Sequence, residues 1–99
     1  MSGVIHKVVI RGRVQGVGYR AWVDYRARRL GLRGWVRNRR DGSVEAVFAG
    51  AEDVVGSMIA ACRQGPASAR VDEVVEEVAN EDVLRLRHSG EAFSVLPTI

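Results

Sequence analysis

Scarcity narrows this chain before any motif does. One cysteine, Cys62, among 99 residues leaves no internal disulfide and no cysteine-based zinc site. No apolar run approaches the ~20 residues that a bilayer-spanning helix needs, so no membrane partner is expected. Met1 to Lys7 lacks a basic stretch followed by an apolar one, which argues against a secretory leader and makes the cytoplasm the expected compartment. The two histidines, His6 and His88, stand apart from any acid–base constellation and are assigned no role. No His-Glu-x-x-His pattern or carboxylate cluster is present, so no metal ion is expected. Aromatic residues make up 6% of the chain. The strand-like run Val4 to Arg11 has none, and Ser43 to Ala49 has only Phe48, so a sheet that stacks RNA bases would lack its platforms and no nucleic-acid partner is expected.

Acids are nearly missing from the first forty residues. Eleven Lys/Arg there face one acid, Asp24, for a net charge of +10, whereas residues 41–99 hold four Arg and eleven acids for −7. The basic half builds a field that draws in an anion. Arg26, Arg28 and Arg29 are better read as the solvated C-terminal end of a helix, where cations belong. Hydrophobic residues at 46% and charged residues at 27% fit a globular chain whose length allows one small core. One domain over residues 1–99, standing alone from Met1 to Ile99 as a monomer, is expected.

Periodicity supplies the elements. Val4 to Arg11 is a first strand. Tyr19, Val23, Ala27 and Leu30 form one face of a helix from Tyr19 to Leu30, flanked by Trp22 and Tyr25 as core cover, with Gly31 after its end. Gly34 to Arg39 and Ser43 to Ala49 are strands joined at Asp41-Gly42, which predicts a two-residue type I′ hairpin. Ala51 to Gln64 is a second helix, with Val54, Val55, Met58, Ile59 and Cys62 on its core side and Gly65-Pro66 as its stop. Arg70 to Val78 is a fourth strand with one wet face. Asn80 to Glu91 is a polar loop with a short extended piece at Val83 to Arg87, and Phe93 to Leu96 is a last strand that Pro97 confines to an edge. The order β-α-β-β-α-β predicts an α+β, ferredoxin-like split βαβ sandwich. Its antiparallel sheet, in the order 4-1-3-2, carries two helices on one face.

The chemistry concentrates at two places. Gly12-Arg13-Val14-Gln15-Gly16-Val17-Gly18-Tyr19-Arg20 holds three glycines in seven residues, between a strand and a helix. Such a loop can turn successive N–H groups into an anion site, and the helix start adds free N–H groups and the positive end of its dipole. A cation on the first helical turn, Arg20, opposes that dipole unless an anion lies between them. A tight strand-to-helix turn with a solvated Arg is the plain alternative. The pattern is neither a Walker A loop nor Gly-x-Gly-x-x-Gly. Asn38 ends the run Trp35-Val36-Arg37-Asn38, where its amide could hold a water or simply begin the turn.

These stretches together resemble the acylphosphatase family. The match runs through Gly12 to Arg20, Gly31-Leu32-Arg33-Gly34-Trp35-Val36-Arg37-Asn38, Asp41-Gly42-Ser43-Val44-Glu45, Gly50, Gly65-Pro66-Ala67-Ser68-Ala69-Arg70-Val71 and Phe93-Ser94-Val95. Tyr19 stands where the family commonly has Phe, and Asn80 to Glu91 matches poorly. The resemblance implies an enzyme that hydrolyses small-molecule acyl phosphates to a carboxylate and inorganic phosphate, without metal or cofactor. It implies that Arg20 binds the phosphate with the backbone of Gln15, Gly16, Val17, Gly18, Tyr19 and Arg20, and that Asn38 holds the attacking water. The competing readings are a nucleic-acid-binding module and a regulatory or carboxyl-transfer domain within a larger protein.

Overall fold

In the computed structural model, which describes residues 3–99, the chain runs β1 (Gly3–Arg13), α1 (Tyr19–Arg29), β2 (Arg33–Asn38), β3 (Val44–Ala51), α2 (Glu52–Gln64), β4 (Arg70–Val78), a 3-10 helix (Glu81–Leu86) and β5 (Phe93–Val95). The sheet order is β4-β1-β3-β2-β5, which contains the predicted 4-1-3-2 arrangement. The antiparallel β1–β3 pair runs from Gly3 opposite Ala51 to Ile10 opposite Val44. Alternation along the strands separates two cores. Val8, Ile10, Val36, Val44, Ala46 and Phe48 face the helices, where Tyr19, Val23, Ala27, Val55, Met58, Ile59 and Cys62 meet them. Trp35, Val47 and Ala49 face the other way and are covered by Leu84 and Leu96.

The sheet is mixed rather than wholly antiparallel. β5 pairs parallel with β2, placing Phe93 opposite Gly34 and Val95 opposite Val36. The polar segment and the 3-10 helix carry the chain from β4 across the helix-free face, so β5 reaches the far edge in the same direction as β2. The extended piece expected at Val83 to Arg87 is the end of that 3-10 helix. Asn80 caps it by accepting from the Asp82 N–H at 3.0 Å, Trp35 Nε1 donates to the Val83 carbonyl at 2.7 Å, and Leu84 plugs the second core.

Three further readings change. Leu30 does not continue the core face of α1: it is the C-cap residue and 44% exposed. The helix closes with Leu32 N–H on the Ala27 carbonyl at 3.0 Å and Gly31 N–H on the Arg28 carbonyl at 3.1 Å. That double bond pattern turns the chain so that Leu32, not Leu30, enters the core beside Ala27. Tyr25 is 61% exposed and lies under the Arg29 guanidinium instead of covering the core. The hairpin is not type I′, which needs positive φ at both Asp41 and Gly42. Only Gly42 has it, at 94°, and Gly42 N–H bonds the Arg39 carbonyl at 3.1 Å. Asp41 is held at negative φ because its Oδ1 accepts from Ser43 N–H at 2.9 Å and Ser43 Oγ at 2.6 Å.

Gly12 belongs to β1 rather than ending it. The β1–β4 register shifts between Arg11 and Gly12, and a Cβ on Gly12 at φ 134° would run into the Arg70 carbonyl. This bulge bends β1 just before the glycine loop, while Gly12 and Arg13 stay paired with Val71 and Arg70 of β4.

Candidate active site

The loop after β1 begins with Val14, which is buried among the helix-facing core residues and fixes where the chain leaves the sheet. Gly16 at φ 74° and Gly18 at φ 81° then turn it, and Gly18 serves as the N-cap of α1 without any side-chain cap. A Cβ at either glycine would meet no atom within 4 Å, so positive φ rather than crowding calls for glycine here, and the backbone lies open to a ligand. Among the described residues, no protein group accepts from the N–H groups of Gln15 to Arg20, while Trp22 N–H already bonds the Gly18 carbonyl at 3.0 Å. These donors and the start of α1 form a region of positive potential.

A cavity of about 300 Å³ opens there, lined by Val14, Gly16, Gly18, Tyr19, Arg20, Ala21, Asn38 and Val95. Arg20, half-buried on the first turn of α1, makes no hydrogen bond or ion pair with another described residue. By contrast, Arg28 binds Asp24 and the Phe93 carbonyl, and Arg37 binds Glu45 at 2.8 Å with its guanidinium over the Trp35 ring. Those two cations are committed to the fold; Arg20 faces the cavity.

Asn38 reaches the same cavity from the end of β2. Its backbone is held on both sides: it pairs with Val44 of β3, and its carbonyl accepts from Ile99 N–H at 3.1 Å. Its side chain is not so held. Among the described residues, Asn38 Oδ1 is a buried acceptor with no hydrogen-bond partner. A buried polar atom left unpaired costs about 1–3 kcal/mol, so an asparagine kept beside the cavity without a side-chain partner points to a role in the cavity rather than in the fold. The structure therefore brings Arg20, Asn38, Gly16, Gly18 and Tyr19 together, although Asn38 lies 18 residues from Arg20 in sequence.

Tyr19 turns its ring into the core, and its hydroxyl donates to the Cys62 carbonyl at 2.7 Å, tying α1 to α2. Burial, then the neighbouring Cys62, raise its hydroxyl far above the ordinary value, so it is a neutral donor and no acid for the reaction. Burial likewise pushes the Cys62 thiol up to about 12, which keeps it inert as the core residue expected from the sequence. His6 pairs with Glu76 at 2.9 Å and His88 with Glu91 at 3.2 Å; neither lines the cavity. Among the described residues, no group of three or more His, Cys, Asp or Glu side chains is placed to hold a metal ion.

Three contributors were hidden in the sequence. The Gln15 side chain donates to the Arg39 and Ser43 carbonyls at 2.7 and 2.8 Å, binding the loop to the β2–β3 hairpin. Ser68 Oγ donates to the Val17 carbonyl at 2.7 Å from the segment after α2. Val95 brings β5 to the cavity rim. The Gly65-Pro66-Ala67-Ser68 stretch stands out only as part of the family resemblance; nothing local in it points at a loop 51 residues away.

Comparison with known proteins assigns the family. The Acylphosphatase family profile matches residues 6–89. An acylphosphatase of Bradyrhizobium diazoefficiens is 66% identical over 99 residues, covering the whole of both chains. Among solved structures, an acylphosphatase from Coxiella burnetii superposes with a TM-score of 0.80 at 31% identity, over 95% of this chain and 93% of that one. The acylphosphatase from Bacillus subtilis also gives 0.80 at 31% identity, over 94% and 98%. The chain therefore belongs to the acylphosphatase family, enzymes that hydrolyse acyl phosphates.

Proposed function

We propose that the protein hydrolyses the carboxyl–phosphate bond of small acyl phosphates by direct, in-line attack of water on phosphorus. The N–H groups of Gln15 to Arg20 and the Arg20 guanidinium grip the phosphoryl oxygens, and Asn38 holds the attacking water opposite the leaving carboxylate. The observation that carries this reading is that Asn38, whose Oδ1 has no hydrogen-bond partner among the described residues, lines the same cavity as the glycine loop and Arg20. The Asn38 amide, turned to the cavity, hydrogen-bonds the water and leaves a lone pair on the water oxygen for phosphorus. As the new P–O bond forms, the bond from phosphorus to the acyl oxygen breaks, releasing a carboxylate and inorganic phosphate. A carboxylate leaves readily, so catalysis rests on alignment and charge stabilisation rather than on a general acid. The proton of the attacking water passes to a phosphoryl oxygen of the substrate, since among the described residues no His, Asp or Glu lines the cavity. The enzyme acts as a cytoplasmic monomer without a metal ion.

Hydrolysis of benzoyl phosphate with chelator present tests the reading. The native chain should turn over at an undiminished rate with chelator, and its pH–rate profile should lack a protein general-base pKa. Arg20→Gln should remain folded and lose substrate and phosphate affinity by several kcal/mol, at about 1.5–3 kcal/mol for each charge-assisted hydrogen bond removed. A folded native chain that leaves benzoyl phosphate intact would refute the proposal.

A further inference from the structure

The phosphate loop and the Asn38 strand come from separate parts of the chain, and one side chain joins them. The Gln15 amide has two N–H donors, and both are engaged: one on the Arg39 carbonyl at 2.7 Å, the other on the Ser43 carbonyl at 2.8 Å. Arg39 directly follows Asn38, and Ser43 directly precedes Val44, the residue opposite Asn38 in the ladder. The amide therefore spans the hairpin at the rung next to Asn38, while the backbone of the same residue opens the loop. We propose that the Gln15 side chain is a positioning residue that fixes how far the phosphate cradle stands from the water held by Asn38.

The proposal rests on the hydrolytic reading above. In-line attack requires the water, phosphorus and leaving oxygen to align, and a misplacement of about 1 Å costs about 10²-fold in rate. The two acceptors do not need Gln15 in order to fold. The Ser43 carbonyl keeps Arg39 N–H at 2.9 Å, and the Arg39 carbonyl keeps Gly42 N–H at 3.1 Å. The hairpin thus persists without the clamp, and what Gln15 adds is its distance from the loop.

The test compares native protein, Gln15→Leu and Gln15→Glu, with kcat, KM and inhibition by inorganic phosphate measured for benzoyl phosphate from pH 5 to 8. Gln15→Leu should lower kcat about 10- to 100-fold. Its phosphate inhibition constant should stay within about threefold of native, because the backbone donors and Arg20 remain. In Gln15→Glu the carboxylate faces two carbonyl oxygens and kcat falls at least as far at pH 8. Half-burial and those oxygens raise its pKa, so toward pH 5 the protonated carboxyl donates again and kcat recovers severalfold relative to native. The charged groups beside the hairpin end are Arg11, Arg39, Arg40 and Asp41, and the Asp41 carboxyl is held down at about 2, chiefly by its bonds from Ser43, well below this window. Native kcat in Gln15→Leu, or a loss in Gln15→Glu that does not change with pH relative to native, overturns the positioning role. A native chain without activity overturns the hydrolytic reading itself, and the proposal falls with it.

Discussion

Asn38 is fastened at its backbone and free at its side chain, and that contrast gives opposite expectations for the two roles an asparagine at this point could have. As a turn residue it would stabilise the fold. As the holder of the water it carries an unpaired buried acceptor, a cost the fold would shed on losing it. Asn38→Ala should therefore lower kcat by about 10²–10³-fold. It should leave inhibition by inorganic phosphate unchanged and melt at or slightly above the native temperature. Thermal melts beside steady-state kinetics check both. Asp41, close by, makes a separate prediction. Its folded pKa, lowered from 3.8 to about 2, has as causes the Ser43 hydroxyl, then the Ser43 N–H, then Arg11. A lowered carboxyl contributes stability that is complete above its unfolded pKa and is lost as pH falls through the folded one. Asp41→Asn should accordingly be less stable than native at neutral pH, and the difference should close between about pH 4 and pH 2 in acid melts.

Elements place these residues, and their junctions are where substitutions should tell. Gly12→Ala forces a side chain into φ 134° and against the Arg70 carbonyl, so it should cost about 2–4 kcal/mol in denaturant melts. Tyr19→Phe strands the Cys62 carbonyl and should cost about 1–3 kcal/mol, with little change in KM because the ring stays in place. The regular elements were legible because each repeats its signal: Val44, Ala46 and Phe48 alternate against Glu45 and Val47, and the α2 stripe recurs over two turns. The glycine loop and Arg20 were legible because positive φ and a misplaced cation each demand a reason. The misses share one cause, a decision made by a distant partner. Leu30 fits the α1 stripe, but the closing turn at Gly31 hands its place to Leu32. Val83 to Arg87 alternates like a strand, but Trp35 Nε1 and the second core take it as a 3-10 turn. The Gln15 clamp depends on carbonyls 24 and 28 residues away, which no local pattern encodes.

At the scale of the molecule, part of the charge asymmetry of the sequence is spent across the sheet. Lys7 pairs with Glu45 and Glu77, Arg11 with Asp41, Arg33 with Glu81 and Arg37 with Glu45, so basic residues of the first half meet acids of the second across the sheet. Arg20 keeps its charge for the cavity. Capture of a phosphorylated anion by that uncompensated charge should weaken with salt, and kcat/KM should fall about two- to tenfold between 10 and 150 mM ionic strength, as the screening length shrinks from about 30 to 8 Å. The most direct test of the whole account is hydrolysis of benzoyl phosphate in ¹⁸O-labelled water, with the products separated and weighed by mass spectrometry. Water held by Asn38 against a phosphate gripped by Arg20 must attack phosphorus, so the label should appear in inorganic phosphate and be absent from benzoate. Label in benzoate would place the attack at the carbonyl carbon and contradict the roles given to Asn38 and Arg20.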